Sequence, residues 1–174
     1  MTEGIGWLGA KSRGKKIQVI DVRRAYFHGK ARRNVFVELP EEDKAQGKCG
    51  ELAKSMYGTR DAASNWEQEY SEFLESAGFA RGKSVICSFH HASRDMCLVV
   101  HGDDFTILGY DKDLSWLQAE MEKKFEIKSS KIGPSEGDNK ALRLLNRVIE
   151  WTPQGITIEG DQRHAETVSY THLT

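Results

Sequence analysis

The sequence predicts an α+β domain: an antiparallel sheet with helices packed on one face, followed by a C-terminal β-hairpin. Three observations predict it. The candidate elements run strand, strand, helix, strand, strand, helix, strand, hairpin, which suits an α+β sheet better than a doubly wound parallel one. A Gly102-Asp103-Asp104 corner lies between two apolar strands and reads as a tight hairpin. Thr152-Pro153-Gln154-Gly155 is a second strong turn signal. With 174 residues, 39% hydrophobic and 29% charged, the chain suits one globular domain with a real core rather than a disordered segment.

Each element has a local reason. Ile17 to Val22 is rich in β-branched residues and reads as a strand with Asp21 near its end. Val35 to Leu39 is a second strand, stopped by Pro40, and Glu41 to Gly50 is a polar loop. From Asp61 to Ala77, residues Ala62, Trp66, Tyr70, Phe73, Leu74 and Ala77 recur at helical spacing. That aromatic stripe reads as core packing. Thr59 or Asp61 is placed to cap the helix start, and Gly78 to end it. Val85 to His90, Cys97 to Val100 and Phe105 to Leu108 read as strands. Asp111 to Lys124 is a second helix, capped by Asp111 or Asp113, with Leu114, Leu117 and Met121 facing inward. A short strand follows at Phe125 to Lys128, then a loop from Gly133 to Asn139. Leu142 to Trp151 and Gly155 to Glu159 form the final hairpin.

Composition narrows the function classes. The net charge of −1 gives no global nucleic-acid signature, although Lys11 to Lys16 and Arg23, Arg24, Lys30, Arg32 and Arg33 make the first fifth basic. Three cysteines leave one unpaired in any disulfide scheme, which suggests a reducing, intracellular compartment. The first residues have neither the basic start nor the apolar core of a signal peptide, and no apolar run is long enough to span a membrane.

The adjacent carboxylates of Asp103 and Asp104 carry the chemistry. Like charges raise the pKa of at least one of them, and a cation offsets the repulsion. Mg²⁺ prefers carboxylate oxygens and keeps positions open for phosphate. Taken alone, such a pair reads first as an Asp-rich surface turn. With Asp21 at a neighbouring strand end, the sequence permits a two-metal phosphoryl-transfer site.

The motifs then resemble a known family. Asp21-Val22-Arg23-Arg24-Ala25-Tyr26 resembles the first catalytic motif of reverse transcriptases, particularly the Asp-Val-x-x-Ala-aromatic stretch of copia-type retrotransposons. Val35-Phe36-Val37-Glu38-Leu39-Pro40 is similar to that family's following strand. Leu52-Ala53-Lys54-Ser55-Met56-Tyr57-Gly58-Thr59-Arg60-Asp61-Ala62 with Trp66 is similar to its Leu-x-Lys-x-Leu-Tyr-Gly-Leu-Lys-Gln-Ala…Trp motif. His101-Gly102-Asp103-Asp104 occupies the place of Tyr-Val-Asp-Asp, and Lys124-Phe125-Glu126-Ile127-Lys128 resembles the Lys-Phe-x-Met-Lys segment that follows. The likeness runs from about Lys15 to His164.

The resemblance implies the palm of an RNA-directed DNA polymerase cut from a Gag-Pol polyprotein. Asp21 and Asp103 would bind two Mg²⁺ ions (Mn²⁺ is possible), with Asp104 in support and the Val22 backbone carbonyl completing one coordination sphere. The amides of Arg24 and Ala25 would meet the triphosphate. Tyr26 would pack under the deoxyribose and exclude a 2′-hydroxyl. Lys128 would protonate the departing pyrophosphate, or is a solvated strand lysine. The implied partners are a primed RNA or DNA template, a dNTP, and integrase and RNase H segments of the same polyprotein. No membrane is implied. The parent element would occupy a cytoplasmic particle and the nucleus.

Several positions depart from the family. His101 and Gly102 replace Tyr and Val. Asp61 stands in place of Gln and Ser64 in place of Arg. An anion at Asp61 near a triphosphate is unfavourable unless it turns away or caps the helix. The domain reading is a fingers remnant at 1–14, a truncated palm at 15–164, and an adapter-derived tail at 165–174, and it predicts that the isolated chain is inactive. Two other readings compete: a decayed nucleic-acid-binding palm, and a metal module built on Cys87, His90, His91 and Cys97.

Overall fold

The computed structural model describes residues 14–44 and 47–159. The expected remnant at 1–14 therefore lies almost wholly, and the expected tail at 165–174 entirely, outside the described residues. Eleven strands and two α-helices are described. In order they are β1 (Lys15–Val22), β2 (Phe36–Val37), β3 (Gly50–Glu51), α1 (Ala62–Ser76), β4 (Ala80–Arg81), β5 (Ser88–His91), β6 (Met96–His101), β7 (Asp104–Tyr110), α2 (Asp111–Glu122), β8 (Ile127–Ile132), β9 (Ala141–Leu144), β10 (Arg147–Thr152) and β11 (Gly155–Ile158). A 3-10 turn covers Ala25–His28. Six strands form one sheet in the order β4-β5-β6-β7-β1-β8, with every pair antiparallel.

Strand alternation splits this sheet into two faces. Ile20 and Val22 of β1, Leu98 and Val100 of β6, and Phe105 and Ile107 of β7 are buried on one face. They share a core with Trp66, Tyr70 and Leu74 of α1 and Leu114, Leu117 and Met121 of α2. Each such side chain contributes about 1.5–3 kcal/mol of burial. A Cβ on Gly109 would lie 3.1 Å from Met96 Cγ and 3.3 Å from Leu114 Cδ2, so glycine there lets α2 pack close to the sheet. The opposite face carries Asp21, Thr106 and Asp104, and no described helix packs on it.

Several boundaries differ from expectation. The run Leu142 to Trp151 is not one strand. Leu145 and Asn146 both adopt positive φ, 48° and 62°, which makes a type I′ turn between β9 and β10. The expected hairpin is thus a three-stranded meander, ordered β11-β10-β9. β8 runs to Ile132, well past Lys128, because β1 pairs with it as far as Ile17. The strand expected from Val85 begins only at Ser88. Val85 and Ile86 are exposed in a turn closed by the Ser88 N–H donating to the Val85 carbonyl at 3.0 Å.

Gly78 ends α1 at φ +94°, as expected, but the expected N-terminal caps are replaced. The Thr59 hydroxyl donates to the Met56 carbonyl at 2.7 Å, and Asp61 stands at the α1 N-cap without a side-chain capping bond. At α2 the N-cap is Tyr110. The buried Asp113 instead accepts from Arg94 Nη1 at 2.8 Å, and Asp111 binds lysines of β1 and β8. For Asp61, which pairs with Arg33, and for Asp111 and Asp113, a longer-range cation outcompetes the local backbone N–H.

The β6–β7 hairpin turns on Gly102 and Asp103. Gly102 has φ +65°, whereas Asp103 is not among the positive-φ residues, which defines a type II′ turn. A Cβ at Gly102 would meet nothing within 4 Å, so any penalty there is backbone strain alone. Gly102→Ala is expected to lower stability by about 1–3 kcal/mol in urea titration.

Candidate active site

Ladder register brings the acidic residues together. Asp21 stands directly opposite Asp104 across β1–β7 and opposite Lys128 across β1–β8. Asp104 in turn faces His101 across β6–β7. Opposed residues project to the same side of a sheet. His101, Asp104, Asp21 and Lys128 therefore form one row across four strands, on the face away from the helices. Asp103 lies exposed in the turn beside it.

This end of the sheet is held from several sides. The Asp103 carbonyl accepts from the Val22 N–H at 3.0 Å. The Gly102 carbonyl accepts from the Trp66 indole N–H at 2.8 Å. The Arg23 N–H donates to the Glu126 carbonyl at 2.8 Å, which ties the chain after β1 to the approach of β8.

The electrostatics are unbalanced. Burial pushes the Asp104 carboxyl above its usual range, and the charges of Asp103 and Asp21 add to the shift while His101 opposes it. Among the described residues, none of Asp21, Asp103 and Asp104 forms an ion pair. No three His, Cys, Asp or Glu side chains among the described residues converge tightly enough to grip a metal as they stand. The donor type nevertheless suits a hard divalent cation, because Asp21 and Asp104 oppose each other on an open face, with Asp103 in the adjoining turn.

A testable consequence follows from that repulsion. Asp104→Asn is expected to stabilise the metal-free domain by about 0.2–1 kcal/mol near neutral pH. A carboxylate whose folded pKa is raised weakens the fold as pH climbs from its unfolded to its folded value. The advantage of the variant should therefore vanish in acid, which melting curves at both pH values will show.

The other expected residues fall around this row. Arg24 is exposed and left-handed, at φ 54° and ψ 41°, and opens the 3-10 turn. Ala25 is fully buried against the core. The Tyr26 ring lies 4.5 Å from that of Tyr57, with Phe27 5.4 Å from Tyr57 on another side. Asp61 is turned into an ion pair, its Oδ1 taking Arg33 Nε at 2.8 Å and Nη2 at 2.7 Å. The Arg33 hydrogen bond holds the Asp61 carboxyl below the usual range. His90 and Cys97 are cross-strand neighbours on the open face, whereas His91 is buried on the helix face against Phe79 and Trp116. Those Cys and His residues are thus divided between the two faces.

Two features escaped the sequence reading. One is the strained backbone of Arg24, since arginine gives no signal for positive φ. The other is the Trp66 bond to the hairpin, because a tryptophan in an apolar stripe reads as packing whether or not its N–H has a distant partner.

Six antiparallel strands backed by two helices, with carboxylates at one strand end and in the adjoining hairpin turn, define a polymerase-palm architecture. The family model described as "Reverse transcriptase (RNA-dependent DNA polymerase)" matches residues 8–134, and the chain belongs to that family. The retrovirus-related Pol polyprotein from transposon TNT 1-94 of Nicotiana tabacum is 28% identical over 135 residues, which is 73% of this chain and 10% of that protein. The transposon Ty1-DR1 Gag-Pol polyprotein of Saccharomyces cerevisiae is 25% identical over 128 residues, 71% of this chain and 7% of that protein. The chain thus spans a tenth or less of the length of these relatives. Among solved structures, apo telomerase from Candida tropicalis truncated from its C-terminal domain superposes with a TM-score of 0.50 at 10% identity, covering 86% of this chain and 36% of that one. That likeness is one of fold.

Proposed function

We propose that this domain serves as the palm of an RNA-directed DNA polymerase within a retrotransposon polyprotein, and that Asp21, Asp103 and Asp104 hold two divalent ions, Mg²⁺ or Mn²⁺. The observation that carries the reading is the register of Asp21 against Asp104, with Asp103 in the adjoining turn and, among the described residues, no ion pair on any of the three. Bound divalent ions supply charge neutralisation and Lewis acidity at a transferring phosphoryl group. The three carboxylates, together with the Val22 carbonyl, are the oxygen donors that would hold such ions on the open face.

Tyr26, backed by Tyr57, presents an aromatic surface to the sugar, and the Arg24 and Ala25 amides receive the triphosphate. Lys128 flanks Asp21 on the side away from Asp104 and donates a proton to the leaving pyrophosphate. Arg33 offsets the charge of Asp61, so the acidic residue at that position does not repel the nucleotide.

The functional unit is residues 15–164, with 1–14 a fingers remnant and 165–174 foreign to the family. Processive synthesis is the activity of the longer polyprotein, with its RNase H and integrase segments, its cytoplasmic particle and its nuclear target. The test is primer extension with Mg²⁺ by a polymerase in which this segment is joined to fingers and thumb. Asp103→Asn should slow it at least about 100-fold, because a lost metal ligand removes several kcal/mol of charge stabilisation. Equal extension by variant and wild type would sink the assignment.

A further inference from the structure

We propose that Trp66 is a positioning residue that sets the aim of Asp103 by locking the peptide plane before it; its effect on metal rests on the reading above. The Gly102 carbonyl belongs to the Gly102–Asp103 peptide and accepts from the Trp66 indole N–H at 2.8 Å. The Asp103 carbonyl belongs to the Asp103–Asp104 peptide and accepts from the Val22 N–H at 3.0 Å. The planes on both sides of the Asp103 Cα are thus held, one by α1 and the other by β1.

The first of these planes is the one that distinguishes two hairpin turns. Type II′ has positive φ at the first central residue only, type I′ at both, and a flip of the central peptide interconverts them. Gly102 followed by Asp103 is compatible with either turn, since aspartate tolerates the left-handed region. A flip would carry the Gly102 oxygen away from Trp66, stranding a buried donor, and would rotate the Asp103 side chain.

The donor itself cannot follow. Trp66 is 1% exposed. Its ring meets Tyr70, Phe105 and Phe125 edge-on at 5.5, 6.2 and 5.4 Å. Phe105 is the residue after Asp104, so the same ring also steadies the start of β7.

The experiment replaces Trp66 in the 174-residue chain with β-(3-benzothienyl)alanine, which keeps the ring shape but has sulfur in place of N–H, and separately with phenylalanine. The Asp103 amide is followed by NMR, and Mn²⁺ affinity by water-proton relaxation. Both variants should show a second Asp103 signal, and Mn²⁺ should bind up to about tenfold more weakly, the scale of one lost hydrogen bond. A single Asp103 signal in the benzothienyl chain overturns the proposal, whatever the metal does. A second signal with unchanged Mn²⁺ affinity overturns the positioning role, provided that Asp103→Asn weakens binding. If wild type and Asp103→Asn bind Mn²⁺ alike, the metal reading fails instead, and the turn lock stands or falls on the NMR signal alone.

Discussion

Trp66→Ala is expected to destabilise the domain by about 3–5 kcal/mol, the range for truncating a fully buried large aromatic. The indole occupies the junction of α1, β7 and the approach to β8, against Tyr70, Phe105 and Phe125. Alanine would leave a cavity that these rings, held by their own helix and strands, fill only in part. The Gly102 carbonyl also loses its donor. Domains of this size are stable by only about 5–15 kcal/mol, so the variant should be partly unfolded at modest urea concentration. A midpoint within experimental error of wild type would mean that the ring is not central to the core.

The second large effect concerns a buried ion network far from the acidic row. Lys16 of β1 reaches Asp138 of the 133–139 loop at 2.9 Å and Asp111 of α2 at 3.3 Å, with the Lys16 and Asp138 side chains only 10% and 8% exposed. Asp111 also takes Lys131 of β8 at 3.1 Å. Asp138→Ala strands the Lys16 charge. It should cost about 2–3 kcal/mol, at or below the low end for a broken buried pair, because Asp111 remains and the surface is near.

The pH dependence has a definite sign. The Asp138 hydrogen bond raises the Lys16 pKa against the opposing effect of burial. Burial pushes Asp138 up, but the hydrogen bonds from Lys16 and the Ser135 N–H outweigh it and leave its pKa lowered. Asp111 is lowered chiefly by the hydrogen bond from Lys131. The carboxylate contributions are therefore present above the unfolded value of about 3.9 and disappear as pH falls through the lower folded values. The Lys16 contribution is complete below about 10.4 and is lost as pH rises through its higher folded value. Urea titrations should show wild type and Asp138→Ala well separated near neutrality and converging in acid. A constant gap down to the lowest pH would contradict the ion-pair account.

Legibility in the sequence followed the range of the forces involved. β1, β6, β7 and both helices were readable because apolar residues recur at the period of the element itself. β8 was cut short because Ser129, Ser130 and Lys131 give no apolar signal; β1 pairs them as a strand, while Ser129 bonds Gln118 and Lys131 bonds Ser115 on α2. The turn at Leu145-Asn146 was missed because leucine rarely marks positive φ. β3 is two residues long and exists only through its pairing with β2. The capping readings failed where a distant arginine or lysine claimed the carboxylate.

By itself the sequence determined the class of the domain, its reverse-transcriptase motifs, and the placing of Asp21 at a strand end with Asp103-Asp104 at a turn. Those are local properties, set by alternation, turn chemistry and the order of residue types along the chain. Only the tertiary structure decided that Asp21 opposes Asp104, that Arg33 offsets Asp61, and that Trp66 holds the peptide before Asp103. Register and side-chain partnership depend on how α1 and the core beneath β1, β6 and β7 pack. Packing joins residues tens of positions apart, and no local pattern records it.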